Sequence, residues 1–191
     1  MAVSYMRVNG NKISTHIAFY NFGSAGQMEL NNQVGELNVD DVLAPQIFFC
    51  DNSTAVAVRT DGFTVFSGSQ SPKEKKTVKF DQEIISTFHD GNRIGFVFDG
   101  GDSGHKYLMK VYNTGGKNTM QKYFDLQYNS ITLQKDKIVL FNEKEFAIYK
   151  LNGQKTFQGK YRKPIQNVLS IRGFRKYMVI TEDSADLIRL G

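Results

Sequence analysis

From Lys137 to Lys155 the chain passes through a short β-prone run, a polar turn and a second run, and then turns again. Ile138 to Phe141 is apolar, Asn142 to Glu145 is turn-forming and Phe146 to Tyr149 is apolar. Asn152-Gly153 then sends the chain toward a third segment ending at Phe157 and Tyr161. Runs of β-branched and aromatic residues separated by Asn, Gly and charged turn residues are antiparallel hairpins. Apolar residues at the three-and-four spacing of an amphipathic helix are nearly absent. The 3 prolines, Pro45, Pro72 and Pro164, fall outside the centres of apolar runs, where proline would break a strand ladder.

The same unit recurs along the chain. One set runs Gln46 to Cys50, Ala55 to Val58, Phe63 to Phe66 and Thr77 to Phe80. The next runs Ile84 to Phe88, Ile94 to Phe98, Tyr107 to Tyr112 and Met120 to Phe124, with a turn expected at His89-Asp90-Gly91-Asn92. Ile47, Ile85, Ile131 and Leu169 recur at roughly 40–45 residues, the length of a four-stranded propeller blade. The expectation is an all-β chain of β-propeller-like, four-stranded antiparallel blades in a single domain over residues 1–191. It divides into a partial blade at 1–43, blades at 44–82, 83–126 and 127–164, and a partial blade at 165–191. A β-sandwich is the alternative. The first unit lacks its innermost strand and the last its outermost, which leaves three closures open. The N-terminal strands complete the last blade, residues outside this chain complete a larger ring, or two copies pair edge to edge. An open blade edge buries its apolar face only against a neighbour, so a homodimer through open edges is one expectation.

A finer echo marks the third strand of each unit. Phe19-Tyr20-Asn21, Val65-Phe66-Ser67, Val111-Tyr112-Asn113 and Ile148-Tyr149-Lys150 are each followed by a glycine, at Gly23, Gly68, Gly115 or Gly153. A glycine there supplies the positive φ of a turn into an outer strand, and the ring packs against the next blade. These units resemble those of quinoprotein-like and WD40-like β-propellers, although without tryptophan the Trp-Asp signature of WD40 blades is missing. More narrowly, Ile17-Ala18-Phe19-Tyr20-Asn21-Phe22-Gly23 and the segment from Arg175 to Glu182 resemble an uncharacterised clostridial family. In that family an N-terminal membrane helix precedes a propeller-like domain of unknown function. The resemblance implies that this chain is the C-terminal part of such a protein, held outside the membrane by a helix absent from this sequence. The family assigns no catalytic residues, so none carry over.

Composition narrows the chemistry. No run approaches the roughly 18 apolar residues of a membrane helix, and Met1 to Tyr5 has neither a basic head nor an apolar signal core. Cys50 is the single cysteine, which excludes an internal disulfide and a cysteine-rich zinc site. Its apolar neighbours mark it as a buried, inert thiol. The net charge of +5 hides an asymmetry: residues 1–102 hold 8 Lys and Arg against 12 Asp and Glu, and residues 103–191 hold 16 against 7. Such a division reads as an ordinary solvated surface or as a face for an anionic partner.

The candidate reactive groups each have a plain structural reading. His16, His89 and His105 are the 3 histidines, and none stands at metal-ligand spacing from another. His89-Asp90 resembles the pair of metal phosphohydrolases, but that pair belongs on helices among further histidines, so His89 reads as a turn residue. Asp99-Gly100-Gly101-Asp102-Ser103-Gly104 superficially resembles a calcium loop and lacks the acids and terminal glutamate of an EF-hand. It reads as a long hairpin turn. Lys73 to Lys76 and Lys160 to Lys163 are short basic runs, with Tyr161, Phe174 and Tyr177 nearby as stacking rings. Strand alternation scatters them over two faces, so nucleic-acid binding is not expected. A quinone-cofactor enzyme would need an acid cluster and a stacking tryptophan. No catalytic, cofactor-binding or metal-binding residue is therefore named. The functional expectation is a non-enzymatic interaction or scaffold module outside the membrane, binding a protein or a cell-envelope polymer. Arg172, Phe174, Arg175 and Lys176 are its expected partner surface, and the loops Asp99 to His105 and Phe174 to Tyr177 are presented to that partner. The alternative is a sensor that holds a small ligand or carbohydrate in the propeller channel.

Overall fold

Polarity along the chain sorts the strands within each sheet. The structure is a computed structural model and describes residues 1–10, 12–27, 29–171 and 175–190, with the side chains of Asn9 and Leu30 left aside. Among these residues, eighteen strands form five antiparallel sheets. The first sheet holds β1 (Ala2–Asn9), β2 (Lys12–Tyr20) and β3 (Gln33–Asp40), with a single helical turn at Ser24–Gln27 between the last two. The second holds β4 (Gln46–Phe49), β5 (Thr54–Arg59), β6 (Gly62–Ser67) and β7 (Lys73–Lys79). The third holds β8 (Ser86–Asp90), β9 (Arg93–Asp99), β10 (Tyr107–Asn113) and β11 (Asn118–Phe124). The fourth holds β12 (Ser130–Gln134), β13 (Lys137–Phe141), β14 (Glu145–Lys150) and β15 (Lys155–Lys160). The fifth holds β16 (Asn167–Ser170), β17 (Lys176–Ile180) and β18 (Ala185–Arg189).

Every sheet is a meander, each strand paired with the next in sequence. Strands buried on both faces are apolar at their centres, and β5, β9, β13 and β14 are such runs between polar or charged ends. The fourth strands are polar and exposed: β7 reads Lys-Glu-Lys-Lys-Thr-Val-Lys, and β15 alternates exposed and half-buried positions. Lysine on such an edge strand discourages pairing with a stray chain.

The echo in the third strands has a structural cause. Registers shift between Phe19 and Tyr20, Val65 and Phe66, Val111 and Tyr112, and Ile148 and Tyr149, one β-bulge where the next-to-last strand of each of the first four sheets meets the last. A bulge adds twist and swings the outer strand away from the ladder. The glycines that follow differ from expectation in two of the four cases. Gly68 and Gly153 take positive φ, 134° and 82°, but the third turn uses Gly116 at 80° in place of Gly115, and Gly23 keeps ordinary φ.

The chain divides into two units, residues 1–84 with 113–117, and residues 85–112 with 118–191. In the first, Ile17 and Phe19 of β2 pack with Ala55, Ala57 and Phe66, and the Phe19 and Phe66 rings tilt at 4.8 Å. Arg59 is buried there and safely so: its Nε and Nη2 donate to both Asp61 oxygens at 2.8 and 2.9 Å. In the second unit one core joins Met109, Val111, Phe124, Ile138 and Tyr149, and another joins Val139, Phe146, Val168 and Tyr177. Each large apolar side chain so buried contributes ~1.5–3 kcal/mol.

Two expected boundaries move. His89 lies within β8, opposite Ile94, so it is a strand residue and the hairpin tightens to Gly91 and Asn92. β7 begins at Lys73, which places the whole basic run inside a strand. A polar edge strand has no hydrophobic period to reveal it.

Candidate functional site

The second unit opens a groove of about 560 Å³ between the outer parts of its β8–β11 and β12–β15 sheets. The connection from β9 to β10 builds one wall. Asp99 Oδ1 accepts the Gly101 amide at 2.7 Å, a short 3-10 turn spans Gly101–Ser103, and Gly104 takes φ 77°. A Cβ on Gly100 would lie 1.8 Å from the His105 carbonyl oxygen, so only glycine lets the loop fold back this tightly. Folding back brings His105 to Asp125, which follows β11. His105 Nδ1 lies 2.8 Å from Asp125 Oδ2, and the Lys106 amide donates to Oδ1 at 3.0 Å. The Lys106 amide first, and His105 second, hold the Asp125 carboxyl below the ordinary aspartate range. The His105 ring also stacks on Tyr123, centroids 5.8 Å apart and planes 20° from parallel.

Phe124, Leu126 and Tyr149 form the apolar floor, all of them buried. Burial, and then the Asp125 charge, push the Tyr149 hydroxyl above its ordinary value. Across the groove stand Glu145, Lys155 and Gln158, with Lys155 Nζ donating to Gln158 Oε1 at 2.8 Å. Lys106 and Lys122 line the near wall, and Lys122 has no ion partner among the described residues. The groove walls are β11 and β15, each the outermost strand of its sheet. At one end the Gly153 turn reaches the Gln121 carbonyl, with Met120 and Lys122 beside it.

The first unit has a smaller cleft of about 260 Å³ between its two sheets. Phe19 and Ala55 lie at its base, and Phe22 and Phe49 stand at its rim, 64% and 52% exposed. Asn52, Ser53, Ser69 and Gln70 complete the rim, and no charged side chain lines it.

Of the four residues expected to form a partner surface, Arg172 and Phe174 lie outside the described residues. Arg175 is exposed at φ 53° and Lys176 opens β17, both at the turn between the first and second strands of the fifth sheet. Tyr177 does not offer a stacking ring: it is buried to 2% exposure in β17, with Lys137 Nζ above its face at 5.7 Å. The described part of the Phe174–Tyr177 loop, from Arg175, and the Asp99–His105 loop lie at opposite strand ends. First-to-second-strand turns of this unit are stitched together: the Lys135 amide donates to Asp90 Oδ2 at 2.7 Å, and Gln134 bonds Val168 O and the Ser170 amide. The Asp99–His105 loop leaves the far end of β9, ~20 Å along the strand at 3.3 Å per residue.

The basic run after β15 is largely matched by acids. Tyr161 donates to Asp186 at 2.5 Å, Arg162 lies 3.7 Å from the same carboxylate, and Lys163 lies 3.3 Å from Asp183. Cys50 is half-buried; desolvation first, and the Asp51 charge second, push its thiol up to about 11. Among the described residues no three His, Cys, Asp or Glu side chains gather closely enough to hold a metal ion. Sequence reasoning reached the Asp99–His105 loop but missed Tyr123, Asp125, Glu145 and Lys155. Twenty residues separate His105 from its partner, and no local pattern announces the pair.

Comparison with solved structures defines the class. The designed protein Ika4 is similar over 83% of this chain and 98% of its own, at TM-score 0.54 and 11% identity. BBS1N, solved in complex with ARL6DN, is similar over 92% of this chain and 60% of its own, at 0.55 and 9%. Sqt1 of Saccharomyces cerevisiae is similar over 95% and 55%, at 0.57 and 10%. At such identities the likeness concerns the fold alone, and it makes these antiparallel sheets β-propeller-like blades. The chain spans little more than half of Sqt1 and of BBS1N, and nearly all of Ika4. No curated protein matches the sequence. The model of a family of unknown function, DUF5711, matches residues 1–190, and the chain belongs to that family.

Proposed function

We propose that this chain is a non-enzymatic interaction module that receives a partner in the groove of its second unit. One observation carries the reading: the stacked His105–Tyr123 pair stands exposed beside a buried, largely apolar floor, in a groove whose rim carries three lysines. Exposed aromatic surface beside a buried apolar floor is what a partner's side chains occupy. That BBS1N was solved with a bound protein lends support by analogy of fold. In the full-length protein the module stands outside the membrane on an N-terminal helix, as the resemblance to the clostridial family implies. The partner is a protein or an envelope polymer, and a second copy at an open blade edge adds assembly.

The test places a photo-crosslinking side chain at Lys122 in the groove and, separately, at Lys75 on β7. Expected is a discrete adduct from the groove position in cells of the source organism and none from β7. Equal labelling from both positions would sink the reading. Protease shaving of intact cells carrying the full-length protein tests the location, and a protected module overturns it. A second reading, a small-ligand or carbohydrate sensor, is favoured by the cleft between Phe22 and Phe49, whose lining side chains are uncharged. Glycan-array binding abolished by Phe49→Ser would support it.

A further inference from the structure

Resting on the groove as a partner site, we infer that it receives the C-terminal end of a polypeptide. The terminal carboxylate lies between Lys122 and Lys155, and the last side chain, an apolar one, lies on the floor. The first observation is the sidedness of the walls. Lys122 alternates with the buried Met120 and Phe124 on β11, and Lys155 pairs with Tyr149, so on each wall the lysine and the apolar floor share one face. A ligand must therefore offer an anion and an apolar group on the same side. The last residue of a chain does so, because its carboxylate and its side chain spring from one Cα.

The second observation is a closed end. The Gly153 turn lies against β11: a Cβ there would stand 3.6 Å from the Gln121 carbonyl oxygen, 3.7 Å from Met120 Cγ and 3.9 Å from Lys122 Cβ. The two sheets touch at this point, and Lys155 opens β15 just beyond the turn. Both lysines therefore stand where a bound chain has to stop. Third, the charge reverses along the groove. Glu145 opens β14, four residues before Tyr149, which is ~13 Å at 3.3 Å per residue. Asp125 lies three residues past Lys122, away from the turn, and is engaged by His105 and the Lys106 amide. The closed end thus holds two positive side chains, and the far end two acids against Lys106. An extended segment of about four residues spans that length. With its carboxylate at the closed end and a neutral or basic residue near Glu145, it matches the charge at both ends. A small fatty or aromatic acid would satisfy the closed end and leave the rest of the groove empty.

The experiment is a selection from a library of random peptides displayed with free C-termini, with the full chain as bait, counter-selected on the Lys122→Gln/Lys155→Gln variant. Both lysines are exposed, so that variant keeps its circular dichroism spectrum and melting point. Expected are enriched peptides that share an apolar last residue. By fluorescence anisotropy, amidating the C-terminus of such a peptide weakens it by about tenfold or more, the loss of a charge-assisted hydrogen bond. Each lysine substitution weakens the free acid and leaves the amide unchanged, whereas Lys75→Gln on β7 changes neither. No enrichment, equal binding of the amidated peptide, or binding of octanoate as tight as that of the peptide overturns the inference. A groove-specific crosslink obtained alongside any of those outcomes leaves the interaction module standing and removes only the C-terminus assignment.

Discussion

The cleft of the first unit and the groove of the second are both spaces between neighbouring sheets over an aromatic base, and their rims differ completely. The cleft is edged by two exposed phenylalanines, amides and hydroxyls with no charged side chain, and the groove by lysines, a glutamate and a histidine–aspartate pair. The base belongs to the fold, since Phe19 and Phe124 close cores that every such sheet pair requires. The rim is free to vary because it lies on connections and outer strands, where substitution costs the fold little. Function in these sheets is therefore to be sought at the rims.

That division can be tested, beginning where the effect is largest. Phe19→Ala and Phe124→Ala should each destabilise by ~3–5 kcal/mol in urea unfolding, since both rings are buried. A loss below ~1 kcal/mol at either site would show that its base is not a packed core. Among the turns, Gly68→Ala should cost ~1–3 kcal/mol, because φ is 134° and the new Cβ would lie 2.6 Å from the Ser71 carbonyl oxygen. Gly153→Ala should cost less, ~1–2 kcal/mol, since its nearest neighbour would be an ordinary 3.6 Å away. If the order reverses, strain rather than close approach dominates at these turns.

At the rims, Phe22→Ser and Lys122→Glu should each leave stability within ~0.5 kcal/mol of the parent, and only ligand binding should change. Two acids, Asp51 outside the lining of the cleft and Asp125 in the groove, respond to pH in the same direction for different reasons. The Ser53 amide and hydroxyl lower Asp51, and the Lys106 amide and His105 lower Asp125. A carboxyl depressed in the folded state adds stability above the ordinary aspartate range, and that stability is lost as pH falls through the folded value. In a carboxyl-carbon NMR titration, His105→Ala should raise Asp125 and leave Asp51 unmoved. The smallest effect concerns Cys50. With its thiol pushed up to about 11, it should react slowly with a disulfide reagent at neutral pH and faster as the solution becomes alkaline. Fast reaction at neutral pH would mean that the strand end around it opens.

Much of the fold was legible because it is written in local alternation. Ile138 to Phe141 and Phe146 to Tyr149 read as a hairpin and pair as one, Phe141 opposite Phe146. The apolar-aromatic pair ahead of each glycine turn is a visible trace of the bulge, since the ring at the register shift recurs in four sheets. Strand ends were less legible where polar residues continue a ladder, as at His89 and Lys73. Backbone hydrogen bonds decide those ends, and they need no hydrophobic side chain.

The candidate site was hardly legible at all. His105 was noticed only as part of a glycine-rich loop, and Tyr177 was read as a surface ring although β17 turns it into the core. Sequence by itself determined that the chain is all β, that its strands come in repeating meanders, and that positive charge gathers in residues 103–191. Those properties depend on neighbours along the chain, where turn residues and alternation act. Only the tertiary structure decided that His105 meets Asp125 across a hairpin and that two edge strands share a groove. It also decided that Arg175 and Asp99 leave opposite ends of their strands. Those relations arise from the packing of sheet on sheet and the length of each strand, which no single stretch of sequence contains.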